Sequence, residues 1–124
     1  MDGRTRIVAP DGGLGLLTHS FVENATHSVL LAVDQIDASA GQVYNVGDDL
    51  QFSFAGVAEI VADELNHEWE LVSVPFQQAE PAWPWVHNHG STHRLLSTEK
   101  LRTELGYRDL ISPEEGLRLS LIHI

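Results

Sequence analysis

The chain has no cysteine, which excludes disulfides and thiolate metal sites and fits a reducing, cytoplasmic setting. Cations are scarce too: 7 Lys and Arg stand against 18 Asp and Glu, a formal net charge of −11. Such a surface repels the phosphates of nucleic acid and of anionic lipid, so neither is expected as a partner. Neither a charged-then-apolar leader nor a long apolar run occurs, and nothing predicts secretion or a membrane span. The acids are spread over predicted helices and loops rather than gathered into a tail. At 124 residues the chain amounts to one small domain at most, with a core but modest surplus stability.

What is present is organised around residues 21–49, which read as one helix feeding one strand. Asn24 can cap the helix by accepting from the free N–H groups of its first turn, and Glu23 suits the positive end of the dipole. Ala25, Val29, Ala32, Val33 and Ile36 recur at helical spacing and predict one apolar face. Gly41 ends the polar linker, and Val43, Tyr44 and Val46 form a β-type run, buried on both sides, that stops at Gly47.

Upstream, Arg6–Ala9 reads as a strand, Pro10-Asp11-Gly12-Gly13 as a turn, and Leu14–Phe21 as its antiparallel return. Downstream, Ser53 is a natural cap for a helix carrying Phe54, Val57, Ala58, Ile60, Val61, Ala62 and Leu65, with Asn66 at its end. Asp48 and Asp49 read as solvated loop acids rather than an acid–base pair. Trp69–Val74 predicts a strand that Pro75 terminates. Ser97 opens a short helix with Leu101 and Leu105 on one face, Lys100 and Arg102 in solvent, and Gly106 just past its end. Ser112-Pro113-Glu114-Glu115 is a capping box for the last helix.

Residues 76–92 are irregular, since Pro75, Pro81 and Pro84 forbid a continuous helix while Trp83 and Trp85 supply anchors. Long aromatic loops in small domains are often binding loops, so Trp83, Trp85, His87, His89 and His93 are candidate substrate contacts, together with His19 in the upstream return. The bland alternative makes these histidines surface residues. The H-x-H-x-x-x-H spacing of His87, His89 and His93 also admits three imidazoles on Zn or Fe, a cupin-like metal site, although the flanking sequence lacks the strands that would hold the rings.

Two blocks carry a family resemblance. Val22-Glu23-Asn24 before the helix, Val43-Tyr44-Asn45-Val46-Gly47 after it, and Ser97-Thr98-Glu99-Lys100 through Glu104-Leu105-Gly106-Tyr107 resemble the extended short-chain dehydrogenases/reductases, the NAD-dependent sugar-nucleotide epimerases, dehydratases and reductases. The family usually has Val-Asp-Asp where this chain has Val22-Glu23-Asn24. The resemblance runs from about Arg6 to Leu117 yet spans only the last third of a family member. It implies an α/β fold, the C-terminal fragment of a Rossmann-type enzyme: a terminal helix–strand unit plus a small mixed α+β substrate-binding subdomain. It also implies NAD or NADP in the parent protein, a small-molecule substrate, possibly a nucleotide-sugar, and as partner the N-terminal nucleotide-binding domain of the same protein. Without that domain Val29, Val33, Val43 or Val46 should be left partly uncovered.

The family's chemistry is missing from these residues. Gly12, Gly13 and Gly15 are the sole glycine cluster, and Leu16, Leu17 and Thr18 follow them without the strand–turn–helix unit that holds a pyrophosphate. No Tyr-x-x-x-Lys occurs: Asp48 lies four residues after Tyr44, and Ile111 four after Tyr107. The expectation is a substrate-side portion spanning residues 1–118, inactive alone and binding no cofactor, with a stand-alone three-histidine metal module as the alternative. Residues 119–124 back-translate to CTG TCT CTT ATA CAC ATC, which resembles a transposon end used in sequencing libraries, so they are expected to be translated adapter.

Overall fold

The computed structural model describes residues 5–79 and 92–121. They form two compact units, one built from Met1–Leu17 with Phe52–Arg94, the other from Thr18–Gln51 with Leu95–Ile124. Neither unit is continuous in sequence: the chain leaves the first after Leu17 and re-enters it at Phe52.

In the first unit β1 (Arg6–Pro10) pairs in parallel with β4 (Glu70–Val74), from Arg6 opposite Glu70 to Pro10 opposite Val74. Arg6 and Glu70 also meet through side chains at 3.0 Å, an exposed pair that adds register more than stability. A parallel pair needs a crossover, here supplied by α3 (Phe54–Glu64). Ser53 caps α3 as its sequence predicts, its hydroxyl accepting from Gly56 N at 3.1 Å. Asn66 adopts a φ of +45° just beyond the helix, and β4 runs into Pro75, both as read from sequence. The hairpin does not form. Leu16–Leu17 (β2) pairs antiparallel with Phe52–Ser53 (β3) instead of returning along β1, whose partner edge is taken by a strand sixty-odd residues away in the chain.

The second unit is helical. Its core is Leu101, Leu105 and Tyr107, with Leu31, Ala32, Tyr44 and Val46 packed against them. α1 spans Val22–Asp34 and α2 Ile36–Ser39, broken at Gln35, where φ is −113° and ψ 47°. α4 (Glu99–Glu104) ends before Gly106, which takes the left-handed φ of +69°. α5 (Pro113–Leu121) starts as its capping sequence predicts, Glu115 N donating to Ser112 Oγ at 3.3 Å.

Several expectations fail here for a shared reason, namely that local pattern does not say which face finds a partner. Asn24 is not the cap: α1 begins two residues earlier, after Phe21, and Asn24 lies fully buried inside it. Val29, Val33 and Ile36 do not face the core; they are 60%, 63% and 61% exposed, while Ser28, Leu31 and Ala32 turn inward. Val43–Val46 joins no ladder among the described residues, and Val43 is open to solvent rather than buried on both sides. Partial exposure of these valines is what the family resemblance implies.

Candidate functional site

Among the described residues, a buried polar node in the second unit carries the densest set of side-chain hydrogen bonds. The Asn24 amide uses all of its capacity: Nδ2 donates to Asp48 Oδ1 at 3.0 Å and to the Ile111 carbonyl at 2.9 Å, and Oδ1 accepts from Leu110 N at 2.9 Å and Ile111 N at 3.0 Å. Asp48, only 3% exposed, also accepts from Phe21 N at 3.2 Å. It is therefore not the solvated loop acid its position beside Asp49 predicts. One amide thus ties the first turn of α1 to the loop after Gly47 and to the approach to α5.

Arg102 adds a second tie. Its guanidinium sits 3.1 Å from both Asp109 carboxylate oxygens, donates to the Gly47 carbonyl at 3.3 Å and to Thr98 Oγ1 at 3.0 Å, and stacks 5.0 Å from the Tyr107 ring centre. The expected solvation of Arg102 is overturned, because its head group is taken up by Thr98 and Asp109 on either side of it in the chain and by the carbonyl of Gly47, 55 residues away. Tyr107 donates to the Asn24 carbonyl at 3.2 Å. Burial first, then the Asp109 hydrogen bond and the Asp109 and Asp48 charges, push its phenol well above the usual range, with Arg102 opposing.

Lys100, the sole lysine, is exposed as expected but not unpartnered. Its ammonium lies 4.9 Å over the Tyr44 ring and donates to Gln42 Oε1 at 2.7 Å. Tyr44 and Lys100 are thus paired in space although not in sequence. The pairing has the wrong geometry for proton transfer: the cation covers the ring face, while the hydroxyl donates to Glu104 Oε2 at 2.9 Å. Desolvation and Glu104 raise the phenol's pKa, which favours the neutral form. The pair fastens residues 42–44 to α4.

Of the sequence candidates, His19 is half-buried in the second unit, its carbonyl accepting from Asp48 N at 2.8 Å. His93 is in the first unit and exposed; its Nδ1 accepts from Leu16 N at 3.1 Å, beside the backbone bond from Arg94 N to the Leu16 carbonyl at 2.8 Å. Trp83, Trp85, His87 and His89 lie outside the described residues. Among the described residues no group of three or more His, Asp or Glu side chains could hold a metal. Sequence reasoning missed Asn24, Asp48, Arg102 and Asp109. The only hint was an amide standing where the resembling family usually carries an acid.

The glycine cluster does not fit a dinucleotide. Residues 11–13 form a 3₁₀ turn between β1 and β2, so no helix N-terminus follows to face a pyrophosphate. Gly13, at φ +68°, is needed instead for close approach, since a Cβ there would meet Phe54 Cδ1 at 3.0 Å and Ala55 N at 3.1 Å.

Against known structures, the chain superposes on UDP-glucose 4-epimerase from Thermotoga maritima with UDP-glucose at a TM-score of 0.72 and 18% identity, over 95% of this chain and 34% of that one. RMD from Pseudomonas aeruginosa complexed with NADPH gives 0.67 and 21% over 92% and 34% of the two chains. UDP-glucuronic acid 4-epimerase from Bacillus cereus in complex with NAD gives 0.65 and 15% over 91% and 31%. The fold is that of one part of the NAD-dependent epimerases and dehydratases. This chain therefore spans about a third of the enzymes it superposes on. In sequence it is 25% identical over 130 residues to the uncharacterised protein YbjS of Escherichia coli K12, covering 90% of this chain and 39% of that protein. No family model matches. No described helix is long and apolar enough to cross a membrane.

Proposed function

We propose that this chain is the substrate-side, C-terminal portion of an NAD(P)-dependent sugar-nucleotide epimerase, dehydratase or reductase. The observation that carries the reading is the superposition of more than nine-tenths of the chain on about a third of such enzymes. The α1 unit supports it: Val22, Val29, Val33 and Val43 are each 60% exposed or more, which suits an element whose second neighbour lies in the remaining two thirds of the protein. In this reading the nucleotide-binding portion supplies the glycine-rich turn, the cofactor NAD or NADP and the Tyr–Lys pair. The present chain supplies contacts to a nucleotide-sugar, the candidates being His19, Trp83, Trp85, His87, His89 and His93.

The rigid ties around Asn24 and Arg102 suit that role, because they fix the segments on either side of Gly47 without any catalytic group of their own. The test is the gene and its product. Sequence upstream and in frame should encode a strand–Gly-rich turn–helix and a Tyr-x-x-x-Lys, and the joined protein should turn over NAD(P)H with a nucleotide-sugar or its product. An upstream region lacking both signatures would refute the proposal.

A further inference from the structure

Asp48 grips the segment that leads into α1 on both sides of Ser20. Its N–H donates to the His19 carbonyl at 2.8 Å, and its carboxylate accepts from Phe21 N at 3.2 Å through Oδ2. One residue upstream, Thr18 Oγ1 accepts from Leu96 N at 2.9 Å. Residues 18, 19 and 21 are therefore each tied to a part of the chain distant in sequence, and the backbone carrying His19 is fixed before and after that side chain. The grip is itself held from outside the segment: Asn24 Nδ2 donates to Asp48 Oδ1 at 3.0 Å, and Gln51 Nε2 to the Asp48 carbonyl at 2.7 Å.

An acid is the side chain that suits this place. Two donors, Asn24 Nδ2 and Phe21 N, converge on it, and a carboxylate accepts on both oxygens without bringing a donor of its own. An asparagine would turn its NH2 toward one of them. Burying a carboxylate is costly, and Asp48 is only 3% exposed; the first turn of α1 beside it offsets part of that cost. Packing alone would be served as well by apolar residues. We propose that Asp48 is a positioning residue, holding residues 19–21 so that the half-buried His19 imidazole meets an oxygen of a bound nucleotide-sugar in one fixed orientation. The identity of the ligand rests on the proposed function; the hold on His19 does not. A side chain fixed before binding has less freedom to lose when the ligand arrives, so the hold acts on affinity rather than on the chemical step.

Asp48→Asn, His19→Gln and the double variant separate this role from support of the fold. Asp48→Glu, which keeps both acceptor oxygens but displaces them by one methylene, takes the place of Asp48→Asn if circular dichroism shows the amide variant unfolded. In this chain alone the Asp48 variant should keep its helical signal, while Phe21 N–H exchanges about tenfold faster and the His19 imidazole resonances split or broaden in NMR spectra. Unchanged His19 resonances overturn the hold. In the joined protein, the Asp48 and His19 variants should each raise KM for the nucleotide-sugar about three- to tenfold with kcat within about twofold, and the double variant should be no worse than either alone. Effects that multiply, or a loss confined to kcat, would show Asp48 acting through another group and overturn the proposal. A joined protein that turns over a nucleotide-sugar with a KM indifferent to His19→Gln overturns it too, and leaves the functional reading standing. A joined protein without turnover overturns the functional reading, and the His19 resonances then decide the hold by themselves.

Discussion

Asn24→Asp changes one atom and puts the buried node against itself. Asp Oδ1 can still accept from Leu110 N and Ile111 N, so the backbone ties survive. The other oxygen replaces an N–H that now donates to Asp48 at 3.0 Å and to the Ile111 carbonyl at 2.9 Å, leaving two acceptor–acceptor contacts and two carboxylates in one buried site. Ionising both is more costly than sharing one proton between them, so the folded variant holds that proton while the unfolded chain, with carboxyls titrating near pH 4, releases it. The folded pair titrates higher than the unfolded one. The variant is therefore closest to the parent at about pH 4 and loses about 1.4 kcal/mol per pH unit as pH rises toward neutrality, reaching roughly 3–4 kcal/mol near pH 7. Urea unfolding followed by circular dichroism at pH 4, 5, 6 and 7 measures this. Parallel curves offset by less than about 1 kcal/mol would show that the node is wetter than its geometry implies, and would refute the reasoning.

Gly47→Ala should destabilise by about 1–3 kcal/mol, because a Cβ would collide with Thr18 Cγ2 and that side chain is pinned by the Leu96 N hydrogen bond to its Oγ1 at 2.9 Å. Adding Thr18→Ser, which removes the methyl and keeps the hydroxyl, should recover most of the loss in thermal melts. Arg102→Lys keeps the charge but not the planar head that reaches Asp109 and the Gly47 carbonyl through Nη2 and Thr98 Oγ1 through Nε while stacking on Tyr107; about 1–2 kcal/mol should be lost, and equal melting temperatures would count against it. Because the Tyr107 phenol titrates higher folded than unfolded, its contribution is intact below about pH 10 and disappears as pH rises beyond that; ultraviolet titration should show it ionising only with alkaline unfolding. A Tyr107 that titrates freely near pH 10 in the folded chain would contradict its burial. Calorimetry of the isolated chain with NAD should show no micromolar binding, since residues 11–13 turn into β2 rather than a helix.

Sequence alone determined the features that depend on near neighbours. Ser53 and Ser112 cap helices because a hydroxyl reaches N–H groups within three residues, Gly106 and Asn66 take left-handed φ at helix ends, and Pro75 closes β4. The motif Val43-Tyr44-Asn45-Val46-Gly47 and the Glu-Leu-Gly-Tyr block were enough to indicate a fold that the superpositions bear out. Tertiary structure alone decided which partners meet across long separations. β1 was free to pair with Leu14–Phe21 or with β4 on pattern alone, and the register with Glu70–Val74 won. An asparagine on a helix reads as a cap until Leu110 and Ile111, far along the chain, use its oxygen. Which side of α1 faces the core was equally hidden, because the side that packs carries the polar Asn24 and Ser28 beside Leu31 and Ala32, while the valines that hydrophobic periodicity picks out lie on the exposed side.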